Sequence, residues 1–180
     1  IGGGVQNADA IDELHELGNT LEIPMFPTWN ALDVVTSDYK YYCGRIGTYG
    51  GAGRNFGLQN SDLLISIGSR ISGRITGGNV KTFARAAKKY MVDVDPGVLK
   101  KEFQQVPFDE NINWDAKKFM ELFKNFLIKK KYKTEKKKDE WLKKCIDWKN
   151  VYDPVKPEYY KNTNIVQPYV FIRELSKKMS

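Results

Sequence analysis

The sequence predicts an α/β protein with a parallel sheet and helices on both faces, continued by a helical C-terminal segment. Three observations predict this class. The compact runs Leu63-Leu64-Ile65-Ser66-Ile67 and Tyr90-Met91-Val92-Asp93-Val94 have the near-continuous hydrophobicity of strands covered on both faces. Turn-forming residues stop both runs, at Gly68 and at Asp95-Pro96-Gly97. Helical patterns return between the strands, and strand, loop and helix in repetition is how a parallel sheet is wound.

Ile1-Gly2-Gly3-Gly4 reads as the end of a strand running into a glycine turn. Ile11, Leu14, Leu17 and Leu21 then share one helical face, with Asn7 or Asp9 as the N-cap. Only Ile1 remains of the strand that such a unit needs, so the sequence is expected to start inside a longer protein. Ile23-Pro24-Met25-Phe26 reads as a short buried strand that ends at Thr28-Trp29-Asn30. Glycines are dense from Cys43 to Gly57, a composition that lets backbone come close to a ligand. A helix is expected over Ala52–Gln59, ahead of the Leu63–Ile67 strand. A polar loop over 69–78 and a helix over 80–88 lead to the strand over 90–94.

From Trp114 the pattern changes. Trp114, Met120, Phe123 and Leu127 give an amphipathic helix, followed by a lysine-rich stretch. A second helix, over 139–150, aligns Trp141, Cys145 and Trp148 as a packing face. Pro154 and Pro157 mark an extended connection, and Pro168 opens a helix whose apolar side is Tyr169, Ile172, Leu175 and Met179. The expected divisions are an α/β domain over 1–128, a lysine-rich helical linker over 129–165, and the start of another domain over 166–180.

Composition excludes several functions. The net charge of +7 owes much to Lys129, Lys130, Lys131, Lys133, Lys136, Lys137, Lys138, Lys143, Lys144 and Lys149. Lysine clustered in a linker and on one helix, with hardly any arginine, reads as a solvated face and not as a nucleic-acid surface. One histidine, His15, and two distant cysteines, Cys43 and Cys145, cannot build a Cys/His zinc site. They fit a reduced thiol pair in the cytoplasm, with His15 a surface residue. No apolar run reaches the roughly 18–20 residues that span a bilayer, and no signal peptide is recognisable. GxSxG, HExxH and Walker A motifs are absent, so no catalytic residue is assigned.

Parallel sheets bind ligands beyond the carboxyl ends of their strands. Gly2, Gly3 and Gly4, Thr28, Gly44, Gly68, Arg70, Arg74 and Asp93 all fall at such ends. Arg70 and Arg74 suit a pyrophosphate, because guanidinium forks match phosphate oxygens. Asp93 suits a ribose hydroxyl. A second reading stands beside this one, in which the glycines only make turns and the arginines pair with neighbouring acids. The dinucleotide fingerprint GxGxxG is incomplete, since Asn7 occupies the third position after Gly2 and Gly4.

Several short motifs recur in a telling order: Ile1-Gly2-Gly3-Gly4-Val5, Ile23-Pro24 with Thr28-Trp29, and Gly44-Arg45-Ile46-Gly47-Thr48-Tyr49-Gly50. They continue with Asn55-Phe56, Ser61-Asp62-Leu63-Leu64, Ile67-Gly68-Ser69-Arg70, Arg74-Ile75-Thr76-Gly77 and Val92-Asp93-Val94-Asp95. In this order, over 1–126, the chain resembles the central domain of thiamine-diphosphate-dependent enzymes, in the acetolactate-synthase-like branch. Val166-Gln167-Pro168-Tyr169 resembles the entrance to that family's C-terminal domain.

The resemblance implies a Rossmann-like parallel sheet of six strands. It also implies flanking N- and C-terminal domains that carry the catalytic glutamate and the thiamine diphosphate with Mg²⁺, and a homodimeric or tetrameric enzyme. Carried over by position, it implies FAD contacts at Gly2, Gly3, Gly4, Thr28, Gly44, Gly68, Arg70, Arg74, Asp93 and Asp115. The chain makes two departures from the acetolactate-synthase pattern. Arg45-Ile46 stands where a Met-His pair precedes Gly-Thr, and Ser72 stands where an acid follows the first arginine. FAD, another adenine nucleotide, a structural domain with a decayed site and an NAD-dependent protein all remain open at this point.

Overall fold

The computed structural model describes residues 1–161 and 164–179; residues 162, 163 and 180, which fall in the expected linker and C-terminal segments, lie outside the described residues. Helices α1 (Gly4–Asn7), α2 (Ile11–Leu21) and α3 (Ala52–Gln59) precede strand β1 (Leu63–Ile67). The short helix α4 (Gly73–Thr76), strand β2 (Lys88–Asp93) and strand β3 (Glu110–Asn113) follow, and then α5 (Ala116–Lys129), α6 (Lys136–Val151) and α7 (Pro168–Met179). The class is α/β with a parallel sheet.

Among the described residues that sheet has three strands in the order β1-β2-β3, not six. Leu63 pairs with Lys88 and Ile67 with Val92, while Tyr90 pairs with Glu110 and Asp93 with Asn113, all parallel. The segment expected as a strand at 23–26 contributes a single parallel bridge, Met25 with Tyr42. Pro24 limits that segment, because it has no N–H to offer a ladder. β3 went unforeseen because Glu110-Asn111-Ile112-Asn113 lacks the apolar run by which the other strands were found.

Other boundaries shift for local reasons. The residue flanking α2 is Ala10, and Asp9 sits at φ 50, turning the chain between α1 and α2 instead of capping. The helix expected over 80–88 is only a 3₁₀ turn at Val80–Thr82, closed by Ala84 at φ 41. A left-handed residue cannot continue a right-handed helix. Phe83 and Ala84 are buried there, and β2 starts at Lys88. Trp114 lies outside α5, whose N-cap is Asp115.

Two apolar clusters cover the two faces of the sheet. Leu14, Leu17 and Leu21 of α2 meet Met120 and Leu127 of α5, with Ile67 and Val92 from the sheet. On the other side Leu58, Phe83, Met91, Val106 and Phe108 form a second cluster. The α6 helix belongs to the first cluster through Leu142 and Cys145, and Trp141 packs edge-on against Trp148 with ring centroids 5.7 Å apart. Cys43 and Cys145 are free and buried. His15 is not a surface residue: it is half-buried, stacks on Tyr39 at 4.5 Å and lies 3.1 Å from the Val34 carbonyl.

Candidate functional site

A cleft of about 830 Å³ opens at the carboxyl ends of the parallel strands. Its walls are the turns that stop those strands. Gly68 to Ile75 follow β1, Asp93 to Asp95 follow β2, Trp114 to Ala116 follow β3, and Gly2 to Gly4 with Thr28 to Asn30 close the far side. The volume is of the size that holds a drug-sized or cofactor-sized ligand.

The first wall exists because the glycine turn lies directly on the end of β1. The Gly2 N–H donates to the Ile67 carbonyl at 2.9 Å, and the Gly4 N–H donates to the Gly68 carbonyl at 3.0 Å. Side chains have no room at this contact. A Cβ on Gly2 would lie 2.1 Å from the Gly68 oxygen, and one on Gly3 would lie 2.6 Å from the Asn30 oxygen. Both Gly2 and Gly4 thus spend their amides on the fold. Gly68 itself sits at φ 61, where an L side chain is disfavoured. Thr28 is buried, and its N–H donates to the Ile1 carbonyl at 2.8 Å.

The opposite wall carries the charge. Arg70 is exposed and reaches Asp95 only at 3.5 Å, a loose pair with both partners in solvent. Arg74 is exposed, and among the described residues its guanidinium has no ion pair. Both arginines line the cleft, and neither guanidinium is buried in a tight ion pair among the described residues. Ile71, between them, sits at φ 44 with its side chain buried, an uncommon backbone for a β-branched residue. Strain of this kind collects at binding loops.

The acids are partly occupied. Asp93 Oδ1 accepts from the Asp95 N–H at 3.0 Å, leaving its second oxygen free of a protein donor among the described residues. Asp115 Oδ1 accepts the Lys118 N–H at 3.1 Å and caps α5. It remains on the cleft wall, with helix capping as its evident task.

Nine of the ten expected contact residues come together here: Gly2, Gly3, Gly4, Thr28, Gly68, Arg70, Arg74, Asp93 and Asp115. Gly44 does not. It is buried away from the cleft at φ 97, where a Cβ would meet the Arg54 side chain at 2.3 Å, so it serves the packing of Arg54. Sequence reasoning missed Trp29 and Trp114 as lining residues. Their signal was position: each directly adjoins a residue already named, Thr28 and Asp115. Trp29 is 60 % exposed and Trp114 44 % exposed, which leaves indole surface open to a ligand. Among the described residues no group of three or more His, Cys, Asp or Glu could hold a metal ion, and no helix is long and apolar enough to cross a membrane.

Comparison with known proteins gives one consistent answer. Residues 1–122 match the family model for the thiamine pyrophosphate enzyme, central domain. The chain is 39 % identical over 101 residues to the acetolactate synthase isozyme 2 large subunit of Escherichia coli (strain K12), covering 56 % of this chain and 18 % of that protein. It is 34 % identical over 160 residues to a probable acetolactate synthase large subunit of Methanococcus aeolicus, covering 86 % of this chain and 26 % of that one. A probable acetolactate synthase large subunit of Methanocaldococcus jannaschii is 29 % identical over 179 residues, covering 99 % of this chain and 29 % of that one. The chain thus spans less than a third of the length of these relatives. On the match over 1–122, it belongs to the family of thiamine pyrophosphate enzyme central domains.

Proposed function

We propose that the chain is the central scaffold domain of an acetolactate-synthase-like carboligase or decarboxylase of 2-keto acids, and that its cleft binds FAD. The observation that carries the binding is the pairing of two loosely engaged guanidinium forks, Arg70 and Arg74, with a carboxylate oxygen of Asp93 in one cleft. The forks match a pyrophosphate, and the carboxylate matches ribose hydroxyls. The exposed faces of Trp29 and Trp114 suit a flat ring.

In this reading the catalytic glutamate and the site for thiamine diphosphate and Mg²⁺ belong to flanking domains, within a cytoplasmic homodimer or tetramer. The residues of this chain hold the nucleotide and space the neighbouring domains; none performs the chemistry, and the chain alone turns over no pyruvate. The 166–180 segment serves as the lead into the C-terminal neighbour.

Thermal unfolding with added FAD, NAD or ADP tests the binding. A ligand that binds only the folded state raises the midpoint with concentration. FAD is expected to raise it most and ADP less. A rise with NAD alone supports an NAD-dependent protein instead. No rise with any of the three makes this a structural domain with a decayed site.

A further inference from the structure

The glycine-rich 44–50 stretch contributes no residue to the cleft wall, yet it is bonded to the segment that carries Arg74. The Thr48 N–H donates to the Arg74 carbonyl at 2.7 Å, and the Thr48 hydroxyl donates to the Gly73 carbonyl at 3.4 Å. Gly47 permits this approach. It sits at φ 129, and a Cβ there would lie 2.8 Å from the same Arg74 oxygen. The support matters because α4, on which Arg74 stands, is a helix of four residues. A helix that short closes too few internal bonds to hold its own orientation.

The 47–48 turn is in its turn held by one side chain. Asn55 of α3 accepts the Gly47 N–H on Oδ1 at 3.2 Å and donates from Nδ2 to the Gly47 carbonyl at 3.0 Å. The carboxamide thus presents Gly47 with the donor and acceptor that a neighbouring strand would offer. Gly47 is buried and Asn55 half-buried, so losing a partner there leaves a shielded polar group unpaired. Among the described residues no hydrogen bond runs from the 44–50 stretch to Arg70, whose guanidinium reaches only Asp95.

We propose that Asn55 is a positioning residue for Arg74. It fixes the Gly47-Thr48 turn, and the turn fixes the backbone from which the Arg74 side chain lines the cleft. The role in ligand binding rests on the nucleotide reading; the clamp between α3 and α4 does not.

The test uses Asn55→Asp, which keeps the size and the acceptor and removes the Nδ2 donor. Its charge falls near the start of α3, where the helix dipole favours an anion, so the fold should be kept. Asn55→Ala, which removes both bonds without adding charge, is the second variant. FAD affinity is read by flavin fluorescence for each variant alone and combined with Arg70→Ala or Arg74→Ala. Each Asn55 variant is expected to weaken binding about threefold or more in the unaltered and Arg70→Ala chains, and to change nothing in the Arg74→Ala chain. An equal loss in all three chains would mark a merely structural role and overturn the proposal. So would full affinity in both Asn55 variants while Arg74→Ala weakens binding. In the ligand-free chain, exchange of the Thr48 amide should quicken about tenfold or more in Asn55→Asp while that of Val92 in β2 stays unchanged. Unchanged exchange at Thr48 would overturn the clamp. An unaltered chain that binds no FAD would sink the nucleotide reading by itself, and Thr48 exchange would then decide the clamp alone.

Discussion

Gly4 lies flush against Gly68: a Cβ on Gly4 would come within 2.7 Å of the Gly68 Cα, and one on Gly68 within 2.8 Å of the Gly4 Cα. This backbone contact sets the first turn on the end of β1 and so forms one wall of the cleft. Alanine at either position must push backbone apart, which costs about 1–3 kcal/mol by overpacking. Gly68→Ala adds strain of about 1 kcal/mol at φ 61. Gly68→Ala is therefore expected to lower the unfolding midpoint more than Gly4→Ala in a thermal melt, and both are expected to weaken ligand binding. Midpoints equal to that of the unaltered chain would refute the contact.

Much of this wall was legible in the sequence. The Gly2-Gly3-Gly4 turn, the Leu63–Ile67 strand with its terminal Gly68, and the Arg70 and Arg74 loop were located from pattern and residue type, and the structure brings them into one cleft. Gly44 lies apart from this cleft, because glycine marks close approach without saying what approaches; here it is the Arg54 side chain, from α3. β3 and the left-handed turn at Ala84 were illegible because tertiary packing fixes them. Glu110–Asn113 is a strand only because β2 offers it an edge, and Ala84 turns because Phe83 is drawn into the second cluster. The count of strands failed for a related reason: the 23–28 segment bonds to Tyr41, Cys43, Ile46 and Ile1, and among the described residues this pairing amounts to one isolated bridge, Met25 with Tyr42, and no ladder to β1.

The α6 helix is clamped to α3 by another glycine contact. A Cβ on Gly53 would lie 2.2 Å from the Trp148 carbonyl oxygen, which is backbone and cannot swing aside. On Gly57 it would meet the ring of Phe26 at 2.6 Å and the Cys145 sulfur at 3.1 Å, which are side-chain atoms with more freedom. Gly53→Ala is expected to cost about 2–3 kcal/mol and Gly57→Ala about 1–2 kcal/mol. Denaturant titration followed by tryptophan fluorescence measures both; the reverse order would contradict the packing of α6 on α3.

In a chain that carries a free amine at Ile1, stability should depend on pH through that group. Burial lowers its pKa from 8.0 to about 5. Between these values the unfolded chain holds a proton that the folded chain lacks, so stability falls as pH drops from 8 to 5 and is flat above 8 as far as this group is concerned. Acetylation of the amine removes the term. Unfolding midpoints of the free and acetylated chains should converge at pH 8.5 and separate at pH 6, with the acetylated chain higher. A constant difference across that range would contradict the buried amine.

The most direct test of the nucleotide reading is equilibrium titration of the chain with FAD, read by flavin fluorescence, beside Arg70→Ala and Arg74→Ala variants. Both arginines are exposed, and the Arg70–Asp95 pair is loose, so each variant should fold with nearly unchanged stability. If the cleft binds FAD, saturation is expected at one FAD per chain, with a loss of affinity of about tenfold or more in each variant, the scale of one charge-assisted hydrogen bond. Binding that ignores both substitutions, or no binding at all, would contradict that reading.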